Sequence, residues 1–231
     1  MTKTTSSKRT RRTYRSLARD RSAEETRHRI LAAARSLFAS HGYAGTTLEA
    51  IAERAEVSPK TVTAVFGSKR AILGAAVNPA AFPPQVQKLV EESLVAPDPE
   101  RRVQLVVQVA RQAYGLLAGE LELLRTAPGV APELADLAEE IALRRRGIQG
   151  QLVLFLDEHQ WLRRELSVEE ATDVLWTLGG FDVYRLLVIE RRWPPDRYET
   201  WLAETLIQQL LAPVRTSPVS RARRSKGSPT K

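Results

Sequence analysis

Thirteen consecutive residues, VSPKTVTAVFGSK from Val57 to Lys69, hold the side chains best suited to chemistry in this chain. That chemistry is recognition rather than bond making. Ser58-Pro59 places a capping hydroxyl directly before a proline at the first helical position, so a helix begins here. Val62 and Phe66, four residues apart, face one way. The opposite face carries Lys60, Thr61, Thr63 and Ala64, short or basic side chains that let a backbone come close to a groove. The major groove of B-DNA is about 12 Å wide and admits one helix, read by side chains near the helix start. The plainer reading is a short amphipathic helix packed in a bundle with no ligand at all.

Other chemistries are poorly served. Asp157-Glu158-His159 is metal-like in composition, but consecutive residues on a helix point in different directions and cannot converge on one ion. The three histidines, His28, His41 and His159, are scattered, and there is no cysteine for a disulfide or a thiolate. Arg144-Arg145-Arg146 reads as an exposed helical turn. No nucleophile–base pair, phosphate loop or metal spacing indicates catalysis, and no cofactor is implied. A helical enzyme or carrier stands as an alternative without a site to support it.

The elements that must position the recognition stretch are helical. Ser22-Ala-Glu-Glu25 has a capping-box pattern, followed by Ile30, Ala34, Leu37 and Phe38 at helical spacing until Gly42. Thr46-Thr-Leu-Glu49 is a second capping pattern, followed by Leu48, Ile51, Ala52 and Ala55 on one face. The helices over about 47–55 and 59–65 are separated only by Glu56, Val57 and Ser58, a turn tight enough to force a steep crossing. Further helical patterns cover 69–77, about 85–95, Pro99 to Gly119, Pro132 to Phe155, 167–191 and 195–211. No stretch alternates with period two, so the expected fold class is all-α: an N-terminal helix-turn-helix domain followed by a helical bundle. Helix 167–191 is apolar almost all round from Val174 to Ile189, which predicts burial on every side, by its own core and by a partner copy.

Charge divides the chain of 231 residues and net charge +8 into zones. Residues 1–29 carry +7, 30–77 carry +2, 78–212 carry −7 and 213–231 carry +6. Basic ends on an acidic body suggest a polyanion bound at one end. Four zones follow: a basic disordered arm over 1–21, a helix-turn-helix domain over 22–77, a helical sensing and dimerisation domain over 78–212, and a basic disordered tail over 213–231. No apolar run reaches the ~18 residues of a membrane span, and the N-terminus lacks the apolar core of a secretory signal, so cytoplasm is the expected location. The Ser- and Arg-rich N-terminus also resembles an organelle transit peptide.

The run from Ile30 to Leu73 resembles the DNA-binding domain of the tetracycline-repressor (TetR) family of bacterial transcription regulators. The resemblance rests on Phe38 with Gly42-Tyr43, Thr46-Thr47, Ile51-Ala52, Val57-Ser58, Thr61-Val62-Thr63 and Phe66 with Lys69. It implies that Thr47 caps the second helix and meets a phosphate, and that Ser58, Pro59, Lys60 and Thr61 make base and backbone contacts. Lys69 would be a phosphate-binding lysine. Thr63 and Val65 depart from the aromatic residues usual in the family, which leaves open a ligand-binding scaffold with weakened DNA binding. The segment RRWPPDRYETWLAETLIQQLL resembles the family's last helix, which pairs across a homodimer. Candidate interface residues on the last two helices are Leu175, Leu178, Asp182, Arg185, Trp201, Leu202 and Leu206. The resemblance also implies a small-molecule effector bound in the body, for which Arg111, Tyr114, Phe155 and Trp176 are candidate lining residues. The implied function is that of a ligand-responsive homodimeric regulator, a repressor, on a palindromic duplex operator.

Overall fold

The structure is a computed structural model that describes residues 6–126 and 131–213, with side chains described from residue 21 onward. The described residues form helices α1 (Ser6–His41), α2 (Leu48–Arg54), α3 (Pro59–Phe66), α4 (Lys69–Ala76), α5 (Pro84–Val95), α6 (Pro99–Thr126), α7 (Pro132–Glu158), α8 (Val168–Leu178), α9 (Phe181–Tyr184) and α10 (Pro195–Leu210). Their only strand-like pairing is a single bridge between Leu162 and Leu211, so the all-α expectation is borne out.

The start of α1 departs from expectation. Ser22 caps nothing: it lies inside the helix, and its carbonyl accepts from the Thr26 hydroxyl at 2.8 Å. The arm expected to be disordered over 1–21 is helical from Ser6. No glycine or proline occurs before Gly42, and Arg, Leu and Ala are good helix formers, so nothing local stops a helix anchored further along. The basic tail beyond Pro213 lies outside the described residues.

The expected helix over 167–191 is broken. α8 ends at Leu178, and Gly180 adopts an extended backbone (φ −80°, ψ 156°) before α9. A Cβ on Gly179 would sit 2.7 Å from the Leu175 carbonyl oxygen, so the tight exit from α8 requires glycine there. The carbonyls freed by the break find donors. Tyr114 Oη donates to the Gly179 carbonyl at 2.6 Å, and Arg145 Nη1 reaches the Trp176 and Gly179 carbonyls at 3.0 and 3.2 Å. After α9 the chain continues through a π-helical turn, Arg185–Glu190. Burial on all sides does not hold within one chain either, because Trp176, Leu186 and Ile189 are 37%, 45% and 48% exposed.

Two apolar cores result. The first joins α1–α4 to Leu117 and Leu124 of α6 and to Leu134 and Leu137 of α7. The second joins α6, α7, α8 and α10 through Val107, Val153, Leu156, Leu175, Leu202 and Leu206. The long helices α6 and α7 therefore belong to both cores, and no gap in packing falls at residue 77. Polar links reinforce the junction. Arg35 Nη2 donates to the Ala76 carbonyl at 2.6 Å while its Nε lies 3.0 Å from the buried Glu120 carboxylate. Arg70 reaches the Glu133 carbonyl at 3.1 Å and the Glu140 carboxylate at 2.5 Å.

Tyr198 sits at the centre of the second core, edge-on to Tyr184 with ring centroids 5.2 Å apart. Burial raises its pKa, and its hydroxyl is buried without a hydrogen-bond partner. An unsatisfied buried hydroxyl is destabilising by about 1–3 kcal/mol. Tyr198→Phe is therefore expected to leave stability unchanged or raise it by about 1 kcal/mol in urea unfolding. A loss of more than about 2 kcal/mol would mean that the hydroxyl is bonded after all.

Candidate nucleic-acid interface

The turn between α2 and α3 is built from backbone hydrogen bonds. Ala55 closes α2, Glu56 takes a left-handed conformation (φ 54°), and the Val57 amide donates back to the Ala52 carbonyl at 3.0 Å. The left-handed step costs a non-glycine residue about 1–2 kcal/mol. Ladder closure and the packing of Val57 against the first core offset that cost.

Ser58 then caps α3: its Oγ accepts from the Thr61 amide at 3.0 Å, and Pro59 takes the first helical position. Val62 is 0% exposed and fixes the inner face of α3. Phe66 packs beside it with the Arg27 guanidinium 4.5 Å over its ring. Val65 also turns inward, against the first core. Its departure from an aromatic residue thus removes no group from the outer face. Gly67 ends the helix with φ 77°, a conformation that suits glycine.

The outer face of α3 presents Ser58, Pro59, Lys60, Thr63 and Ala64, all exposed. Thr61 does not belong to it as expected. It is half-buried, and its hydroxyl lies 2.8 Å from Ser58 Oγ, bound into the cap. Thr47 is exposed at the start of α2, where its Oγ1 accepts from the Ala50 amide at 3.1 Å.

Lys69 is engaged elsewhere than expected. Its Nζ donates to the Tyr43 carbonyl at 2.6 Å and the Thr46 carbonyl at 2.8 Å, and lies 4.3 Å from the Tyr43 ring centroid. Burial lowers its pKa. Two of its three N–H groups thus pin the α1–α2 turn to α4 before any phosphate arrives. Sequence reasoning missed this staple and the Arg27–Phe66 stack, although all of the residues involved stood inside the motif or beside it.

The electrostatics of the bare face are unexpected for a site that meets a polyanion. Between Thr47 and Phe66 there are three acids, Glu49, Glu53 and Glu56, against two cations, Arg54 and Lys60. The helix-turn-helix by itself is slightly acidic.

The candidate effector residues are each engaged within the protein. Arg111 pairs with Glu199 at 2.6 Å, and Tyr114 is bonded to Gly179. Phe155 has the Arg102 guanidinium 3.7 Å from its ring centroid and the tilted His159 ring 4.1 Å away. Trp176 lies on the surface, in a shallow cavity of about 380 Å³ with Leu143, Arg146 and Asp173. The four do not share a site. Among the interface candidates, Leu175, Leu202 and Leu206 are 2%, 0% and 1% exposed, inside the chain's own second core, and cannot meet a partner. Asp182 is exposed. Leu178, Arg185 and Trp201 are half-buried, with Arg185 paired to Asp182 and Glu190.

A capped helix-turn-helix mounted on a bundle of long helices is an all-helical fold that leaves the outer face of one short helix exposed. The family model for bacterial regulatory proteins of the tetR family matches residues 30–76. Curated protein sequences give no match. Solved structures of similar fold include NalD, the secondary repressor of the MexAB-OprM multidrug efflux pump in Pseudomonas aeruginosa. It has a TM-score of 0.64 and 24% identity over 83% of this chain and 98% of that one. The fatty acid degradation regulator FadR from Bacillus halodurans has a TM-score of 0.64 and 18% identity, covering 79% and 94%. A SmeT–triclosan complex has 0.65 and 20%, covering 81% and 92%. Residues 30–76 thus match the tetR family, and the chain as a whole shares the fold of NalD, FadR and SmeT.

Lys69→Met keeps the stem and removes the donors. It is expected to lower stability by about 1–3 kcal/mol, read from the urea midpoint, because the Tyr43 and Thr46 carbonyls lose their partner. An unchanged midpoint would show that the ammonium is free to serve phosphate alone.

Proposed function

We infer that the chain is a homodimeric, ligand-responsive transcriptional repressor of the cytoplasm that binds a near-palindromic operator. The single observation that carries this reading is the placement of α3. Val62 is sealed in the core, while Lys60, Thr63 and Ala64 on the far side are exposed. A helix so mounted fits the major groove, with Lys60 able to reach a base edge or phosphate and Thr63 a phosphate oxygen. Thr47 and Ser58 serve as exposed helix caps beside that groove.

Two copies would double the site. The apolar side chains left exposed by α8 and the π-helical turn, Trp176, Leu186 and Ile189, suit an interface with a second copy. Asp182 of α9 and Trp201 of α10 belong to the same C-terminal part of the chain. Two recognition helices about 34 Å apart then read an inverted repeat. Such a dimer represses by obstruction, with no need to touch polymerase. NalD and SmeT, whose folds are similar, are named as a repressor and as a triclosan complex, which supports repression and effector binding here.

Effector control follows from the shared cores. A ligand in the body that moves α6 or α7 also moves Glu120, Glu133 and Glu140, which hold Arg35 and Arg70 of the DNA-binding domain. It shifts the balance between two arrangements only by its differential affinity for them.

A second reading, a ligand-binding scaffold with lapsed DNA contacts, draws on the acidic balance of α2–α3. Selection of bound duplexes from a random pool separates the two. An enriched inverted repeat is expected, with Lys60→Ala binding it about tenfold more weakly, about 1.4 kcal/mol, at unchanged thermal stability. Recovery of no consensus sequence would leave the scaffold.

A further inference from the structure

The helix-turn-helix has a charge deficit that the rest of the chain must make good. Affinity for duplex DNA comes largely from neutralised phosphates. Thr47–Phe66 offers two cations against three acids, and Arg70 is committed to Glu133 and Glu140 while Lys69 is committed to two carbonyls. The strongest concentration of cations in the described chain is elsewhere, on the N-terminal part of α1. Ser6 to Arg21 carries seven Lys and Arg against the single acid Asp20.

The backbone there is helical, and the cations are arranged on it. Lys8, Arg12, Arg15 and Arg19 occupy positions separated by four, three and four residues, the spacing that keeps positions on one side of a helix. Followed along α1, the same side runs through Ser22 and Thr26 to Ile30, Ala33 and Leu37, which are buried in the first core with α2 and α3. The other side of α1 carries Arg35, which turns to Glu120 of the body. The basic stripe thus continues the flank of α1 that carries Ile30, Ala33 and Leu37 into the first core. Like charges at such spacing each cost an isolated helix a few tenths of a kcal/mol. A helix laid against a polyanion is relieved of that cost.

We propose that the extension of α1 is a second DNA-binding element, which lays Lys8, Arg12, Arg15 and Arg19 along the phosphate backbone and supplies most of the charge the recognition helix lacks. From Arg27, which stacks on Phe66 of α3, back to Ser6 the helix measures about 32 Å, close to one turn of duplex. The contact is sequence-independent: α3 selects the site and the stripe holds it. This rests on the DNA-binding reading above.

The test uses the full chain and measures how affinity for the selected duplex falls with salt. Changing Lys8, Arg12, Arg15 and Arg19 together to Gln is expected to flatten the slope of log affinity against log salt by about 3 per protomer, with the preferred sequence retained. A control, Arg21 changed to Gln, removes a cation from the opposite side of α1 and is expected to leave the slope nearly unchanged. Circular dichroism and thermal melting of both variants establish that they are folded. An unchanged slope in the stripe variant, the same flattening per cation in both variants, or a stripe variant that melts earlier but binds with the wild-type slope would each overturn the proposal. Loss of binding in Lys60→Ala alongside an unchanged stripe slope would retire the stripe and leave the regulator reading standing. A wild-type chain that binds no duplex would remove both.

Discussion

The burial of one valine orients the molecule's candidate function. Val62 is fully enclosed by the first core, and an eight-residue helix with a single sealed contact has little freedom to roll. Filling that site puts about 1.5–3 kcal/mol of hydrophobic free energy behind one orientation of α3. Phe66 and Val65 add two more inward contacts, and the Arg27 guanidinium covers the Phe66 ring from outside. With three apolar positions turned in and Thr61 drawn into the cap, the remaining positions face solvent, and they are Pro59, Lys60, Thr63 and Ala64. The bare face is therefore a consequence of core packing.

The same core makes α3 sensitive to distant events. It is closed by Leu117, Leu124, Leu134 and Leu137, so the helix-turn-helix rests on α6 and α7 rather than on a linker. Gly74 of α4 shows how close the fit is: a Cβ there would lie 3.2 Å from a methyl of Leu137. Closely packed interfaces of this kind shift between discrete arrangements rather than deforming smoothly. The ionic links Arg35–Glu120 and Arg70–Glu140 span the same junction, with the Glu120 carboxylate well buried. A displacement of either long helix would reach the bare face through these contacts.

Much of this was legible in the sequence because it is local. Caps, prolines at first helical positions and the four-residue spacing of Val62 and Phe66 are rules of one or two turns, and they located α2, α3 and α4 closely. What failed depended on partners far along the chain. Lys69 reads as a phosphate ligand until the carbonyls of Tyr43 and Thr46 are found beside it. The Gly179-Gly180 break lay hidden because the surrounding residues are apolar at every spacing, and only the long-range donors Tyr114 and Arg145 make such a break stable. Leu175, Leu202 and Leu206 were offered to a partner because hydrophobic pattern alone does not tell an inner face from an interface.

The central claim is that the outer face of α3 enters a DNA groove, and the absence of cysteine from the chain makes a direct measurement possible. Ala64→Cys puts a unique thiol on that face, to which a DNA-cleaving chelate can be attached. The account requires strand cleavage in two clusters about one helical turn apart, within the selected repeat. Cleavage no stronger or better placed than from Leu143→Cys, an exposed position on α7, would contradict it.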